Sequence, residues 1–179
     1  MSPAPRIPSA SQAFADRIDR FNAAIGRGAA WLCLFVVLVQ FAVVVLRYVF
    51  GLGSARLTES IVYAHAGLFM LASAWTLAAG GHVRVDVFYA EASPRMRALV
   101  DFCGSLFLLL PFMAVLAWFG LPYVARSWVI FESSRETSGL PGVFLLKTLI
   151  PAFALLMALQ GVSQAIKAAA HLRGADAPR

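Results

Sequence analysis

The side chains best suited to chemistry lie at the two edges of one apolar segment, Ile61–Ala79. They are Arg47, Arg56 and Glu59 before the segment, and His82, Arg84 and Asp86 after it. A run of about 20 apolar residues crosses a bilayer at a helical rise of about 1.5 Å per residue. We therefore expect these charged groups near opposite membrane surfaces, where they can form ion pairs and hydrogen bonds.

Glu59 is the most informative acid in the chain. It stands where the second span enters the membrane, and the spacing allows an ion pair with Arg47 or Arg56 across a short loop. An acid at the membrane edge is a functional candidate, but a glutamate in the first turn of a helix also complements the helix dipole. We favour a structural or subunit-interface role for Glu59 and Arg47, with ion coupling as the alternative.

The histidines do not indicate a cofactor. His65 is the one histidine within a predicted span, and two haem ligands must face each other at one depth. We expect His65 to be packed or satisfied at an interface. His82, Arg84 and Asp86 form either an interfacial hydrogen-bonding cluster or part of a solvated loop. No cofactor, metal site or catalytic constellation is predicted, and the chain is not expected to be an enzyme.

Composition indicates a membrane protein. Hydrophobic residues make up 60% of the 179 residues and charged residues 13%, whereas soluble domains are about 25% charged. The mean hydropathy is +0.77. The net charge of +6 does not predict nucleic-acid binding, because the basic residues punctuate apolar segments rather than form a patch.

The pattern predicts an all-α polytopic membrane protein with four transmembrane helices and an N-terminal amphipathic helix. Residues 1–10 should be a disordered tail, residues 11–28 the amphipathic helix, residues 29–172 the transmembrane domain and residues 173–179 a C-terminal tail. The spans are expected at about 29–50, 58–80, 94–127 and 142–168. Pro111 should kink the third helix.

Two of these elements carry further expectations. Phe14, Ile18, Phe21 and Ile25 recur at helical spacing. Such a stripe can lie in the headgroup layer or lead directly into the next helix, and we favour the interfacial helix. The second span has a face of small residues that includes Gly67, so we expect close helix packing there, within this chain or against a partner.

The distribution of Lys and Arg predicts the orientation. An even number of spans places both termini on one side of the membrane. That side carries ten Lys and Arg residues, and the opposite side carries five. The excess of positive charge favours cytoplasmic termini.

Several short motifs together resemble a known family. They are Arg47-Tyr48-Val49-Phe50, Glu59 at the start of a span, His82-Val83-Arg84-Val85-Asp86, Glu132-Ser133, Gly139-Leu140-Pro141 and Ile150-Pro151. Their order and spacing over about residues 20 to 170 resemble the small membrane subunit of tripartite ATP-independent periplasmic (TRAP) transporters. Many members carry a Trp and a second acid beside the Glu, whereas this chain reads Arg-Leu-Thr-Glu-Ser.

The resemblance implies a small permease subunit in a bacterial inner membrane. Its partners would be membrane lipids, a large permease subunit with the transport core and sodium sites, and a periplasmic binding protein that delivers an organic acid. The family covers dicarboxylates, sialic and other sugar acids, and keto acids. The loop Phe131–Gly142 would then face the periplasm, where Glu132, Arg135 and Glu136 would either steer the binding protein or form a merely solvated turn.

Two other classes stay open from the residues alone. A four-helix cytochrome b-type redox subunit would use the histidines. A small self-sufficient multidrug exporter would need an acid inside the membrane. The chain shows no mid-membrane acid, no paired broken helices and no inverted repeat, so if it serves transport we expect it to act as a subunit.

Overall fold

Four long helices make up the part of the chain that the structure describes. A computed structural model describes residues 9–82 and 92–175. The helices are α1 (Ala10–Phe50), α2 (Ala55–Ala78), α3 (Pro94–Val129) and α4 (Val143–Ala175). Each is long and apolar enough to cross a membrane, which confirms the prediction of an all-α protein with four membrane-spanning helices.

Helix α1 is continuous from the N-terminal amphipathic segment through the first span. Ser9 and Gln12 form a capping box at its start, and Gly51 ends it with a left-handed φ of 65°. The segment 11–28, which we expected as a separate interfacial helix, is therefore the first part of α1. It continues the helix because one face packs into the bundle, with Ala15, Ile18 and Asn22 buried.

Helix α3 contains a distortion near Pro111, where the sequence predicts a kink. Residues Gly104–Leu109 are π-helical, and the N–H of Leu110 donates to the carbonyl of Ser105 five residues earlier. Proline lacks an N–H and its ring clashes with the carbonyl four residues before it. A wider π turn just before the proline relieves that conflict.

The helices pack as an α1–α2 pair and an α3–α4 pair, joined by the packing of both α1 and α2 against α4. The central core consists of Ala74, Met113, Ala154, Leu156 and Met157. The outer surface of the bundle is apolar, and Trp31 and Trp118 are 73% and 76% exposed. Polar contacts between helices gather towards the two ends of the bundle.

Candidate functional site

The loop between α3 and α4 folds back over the start of α2. The N–H of Ser134 donates to the carbonyl of Leu140 at 3.2 Å. This bond closes the segment 134–140, which we call the clamped loop. Residues Arg135 to Ser138 at its tip are exposed, whereas Ser134, Gly139 and Leu140 at its base are partly buried.

Glu59 on α2 holds both ends of the clamped loop. Its Oε2 accepts a hydrogen bond from the N–H of Leu140 at 2.6 Å. Its Oε1 accepts one from the hydroxyl of Ser134. The spacing also allows an ion pair with Arg47 or Arg56, but no such pair forms within the described residues. Both arginines are exposed, and the carboxylate instead satisfies a backbone donor and a hydroxyl of the loop.

Gly139 completes the base of the clamped loop. A Cβ at this position would lie 2.5 Å from the Cβ of Ser134 and 2.7 Å from Oε1 of Glu59. Both distances are below ordinary van der Waals contact, so a side chain here would displace the loop from Glu59. The absence of a side chain at residue 139 therefore lets the two ends of the clamped loop and the Glu59 carboxylate come into contact.

Glu132, two residues before the clamped loop, forms a second anchor between the loop and the bundle. Its Oε2 accepts hydrogen bonds from Ser127 Oγ at 2.7 Å and from Lys147 Nζ. The ammonium of Lys147 also lies 4.1 Å from the centre of the Tyr123 ring. The hydrogen bond from Lys147, and then that from Ser127, lower the pKa of the Glu132 carboxyl below its ordinary value.

The candidate docking residues therefore differ in their surroundings. Glu132 is engaged with α3 and α4, whereas Arg135 and Glu136 lie at the exposed tip of the clamped loop. The sequence shows that all three are charged. It does not show which of them is tied to the bundle, because that depends on where α4 places Lys147.

A polar network joins α1 to α4 at the opposite end of the bundle. Asn22 Nδ2 donates to Gln160 Oε1 at 2.8 Å, and Gln160 Nε2 donates to Asp19 Oδ1 at 2.9 Å. Ser163 Oγ donates to the same Asp19 oxygen. Asn22, Gln160 and Ser163 are each at most 1% exposed, so these bonds replace water for buried polar groups.

Lys167 extends this network into an ion-pair cluster. Its Nζ pairs with Asp19 and lies 2.9 Å from Oδ1 of Asp16. The same end of the bundle has a cleft of about 380 Å³ between the start of α3 and the end of α4. Lys167 lines that cleft together with Arg97, Asp101 and His171.

Sequence reasoning missed this network. The available signal was the spacing of Gln160, Ser163 and Lys167, which places three polar residues on one face of a largely apolar helix. The acids on α1, Asp16 and Asp19, were equally consistent with a face of the helix that is exposed to water. Only the packing of α1 on α4 shows that the two sets of residues meet.

The other candidate residues lie apart from these two networks. Arg47 is exposed in the last turn of α1, and Gly67 is buried where a Cβ would lie 3.1 Å from Leu32 Cδ1. His82 is exposed beyond the end of α2, whereas Asp86 is outside the described residues.

His65, the one histidine within a span, is exposed on α2. The centre of its ring lies 5.3 Å from that of Phe69. This position is on the outer surface of the bundle rather than in its interior.

The structure is that of a polytopic membrane protein, with four apolar helices that polar networks join near their ends. Residues 36–171 match the model of the family described as tripartite ATP-independent periplasmic transporters, DctQ component. The chain therefore belongs to this family of small permease components, which confirms the resemblance seen in its motifs. The family is a transporter-component family and not an enzyme family. Comparisons with curated proteins and with solved structures returned no match.

Proposed function

We propose that this chain is the scaffold subunit of a sodium-coupled TRAP transporter that imports an organic acid. In this proposal a large permease subunit moves the substrate, and a periplasmic binding protein delivers it. The small subunit holds the large one in the bilayer and offers a docking surface to the binding protein. Membership in the DctQ family supports the assignment to a tripartite transporter.

The distribution of charge along the helices is the observation that supports the scaffold role. Residues 28–46, 60–81, 102–125 and 148–166 contain no Asp, Glu, Lys or Arg. Transport sites in secondary transporters are built from polar or discontinuous helices near the middle of the membrane. In this chain the charged cross-links instead fasten the helices to one another at their ends, which suits a stator.

The exposed tip of the clamped loop supports the docking role. Arg135 and Glu136 place both signs of charge on a short projecting segment. Charges at the rim of a transient interface act mainly on the association rate and its salt dependence. A partner that binds and leaves in every transport cycle needs such an interface.

We further propose that the protein lies in the bacterial inner membrane with both termini in the cytoplasm. The excess of Lys and Arg on the terminal side supports this orientation. Phe14 and Phe21 are 52% and 53% exposed, beside arginines on the same segment, which supports placing the start of α1 at the inner membrane surface.

Labelling with an impermeant thiol reagent in intact cells tests this orientation. In a background without the native cysteines, Ser138→Cys should react and Met96→Cys should not. Both positions are exposed in the structure. The opposite pattern would invert the topology.

Charge reversal at the loop tip tests the docking role. Arg135→Glu should slow uptake supported by the binding protein, most strongly at low ionic strength, while the yield of the membrane complex stays unchanged. The transported acid is chosen as the one that most raises the Tm of the binding protein in a screen of dicarboxylates, sugar acids and keto acids. Arg56→Glu, an equal charge change outside the loop, is the matched control. Equal uptake in both variants at low salt would refute docking by this loop.

A further inference from the structure

We propose that Glu59 is the positioning residue that holds the clamped loop in the shape that the binding protein recognises. This inference rests on the proposed docking function of the loop. Glu59 belongs to α2 and is separated from the loop by 75 residues or more in sequence. Its carboxylate nevertheless holds Ser134 and Leu140, the two residues that close the loop.

The two carboxylate oxygens act on different ends of the same loop. One oxygen accepts a hydrogen bond from the Ser134 hydroxyl, and the other accepts a hydrogen bond from the N–H of Leu140. Between these ends, Ser134 and Leu140 also form a backbone hydrogen bond with each other. A single side chain therefore fixes the separation of the two ends, and it does so with charge-assisted hydrogen bonds, the stronger kind.

Ser134 transmits this constraint to the tip. Its hydroxyl oxygen accepts a hydrogen bond from the N–H of Glu136 at 3.1 Å. Because the hydroxyl has one proton, which it donates to Glu59, its oxygen is oriented to accept from Glu136. The N–H of Gly139 in turn donates to the carbonyl of Glu136 at 2.9 Å. The backbone that carries the tip charges is therefore linked through Ser134 to Glu59.

A preformed tip should bind its partner better than a mobile one. Ordering a flexible segment on binding costs conformational entropy, and a segment already held in the bound shape avoids most of that cost. Loss of the Glu59 carboxylate would free the loop ends without altering Arg135 or Glu136. The association of the binding protein should weaken although its charged contacts are intact.

Limited proteolysis tests the clamp itself. Trypsin cleavage after Arg135 is measured in the detergent-solubilised complex from the masses of the fragments. The cleavage rate should become on the order of tenfold faster in Glu59→Ala, because two charge-assisted hydrogen bonds are lost. Glu59→Gln should lie between, since an amide can accept from Leu140 and donate to the Ser134 oxygen. Thr58→Ala, at an exposed neighbour whose hydroxyl donates to the carbonyl of Ser54, the N-cap of α2, is the control. Equal cleavage of wild type and Glu59→Ala would overturn the proposal.

Association kinetics test the consequence for docking. With the membrane complex in nanodiscs, Glu59→Ala should lower the association rate constant of the binding protein and leave the maximal uptake rate unchanged. Gly139→Ala, which crowds the clamp without removing a charge, should act in the same direction and serves if Glu59→Ala yields no complex. If Arg135→Glu slows association and neither clamp variant does, the positioning role is wrong and docking stands. If Arg135→Glu also has no effect, the docking function fails, and the proposal that rests on it fails too.

Discussion

Replacing Gly26 by alanine should weaken the packing of α1 on α2. A Cβ at residue 26 would lie 2.5 Å from the Cβ of Trp75 and 2.8 Å from its Cε3. Carbon atoms pack at about 3.5–4.0 Å, so the two helices would have to separate by about 1 Å. The first of these atoms is next to the Trp75 backbone, which a rotamer change cannot move away.

The magnitude follows from two opposing effects. Overpacking of this kind costs about 1–3 kcal/mol, whereas Gly to Ala in a helix interior stabilises by about 1 kcal/mol. Gly28, two residues further along α1, has nothing within 4 Å of a Cβ. Gly28→Ala therefore reports the helix-propensity effect alone, and Gly26→Ala should be less stable than Gly28→Ala by about 1–3 kcal/mol.

Equilibrium unfolding of the purified chain in mixed micelles measures this difference. Increasing mole fractions of a denaturing detergent, followed by loss of tertiary signal, give the free energy of unfolding of each variant. The comparison uses the same chemical change in the same helix, so effects on the unfolded state largely cancel. Equal stabilities for the two variants would show that α1 and α2 are not in contact at Gly26.

The inner network and the loop anchor give two further predictions. Asp19→Ala should destabilise the chain by about 1–3 kcal/mol, because the buried side chains of Gln160 and Ser163 lose an acceptor. Asp16→Ala should cost less than about 1 kcal/mol in the same unfolding assay, because that residue is more exposed. Equal costs would contradict the network. The pKa of Glu132 is lowered from 4.5 by its partners, so its ion pair is present above that value and is lost as the pH falls through the lower folded-state pKa. A spin label at residue 138 should therefore gain mobility as the pH falls through that lower pKa. The part of this change due to Glu132 should be missing in Glu132→Gln, and an identical pH profile in both would refute the anchor.

The positions of the helices and the family could both be predicted from the sequence. Long apolar runs, with charges only at their edges, determine where spans can lie, and the motifs around Glu59 and Gly139 keep a recognisable order. The amphipathic stripe on the first segment was only partly informative. Ile18 is 7% exposed and faces the bundle, whereas Phe14 and Phe21 lie at the edge of that face and are exposed.

The partners of the polar residues could not be derived in the same way. Glu59 meets the loop at Ser134 and Leu140, and Asp19 meets α4 at Ser163, across long separations in sequence. Helical periodicity shows which residues share a face, but not which other helix that face contacts. Nearby arginines were therefore as plausible for Glu59 as the backbone N–H that it actually binds.

Uptake by reconstituted complexes tests the scaffold function most directly. Proteoliposomes would contain the large permease subunit alone, this chain alone, or both, with the binding protein, a sodium gradient and the radiolabelled acid chosen by thermal shift. We expect uptake from the two subunits together and none from this chain alone. Sodium-driven uptake from this chain alone, or full uptake from the large subunit without it, would contradict the scaffold function.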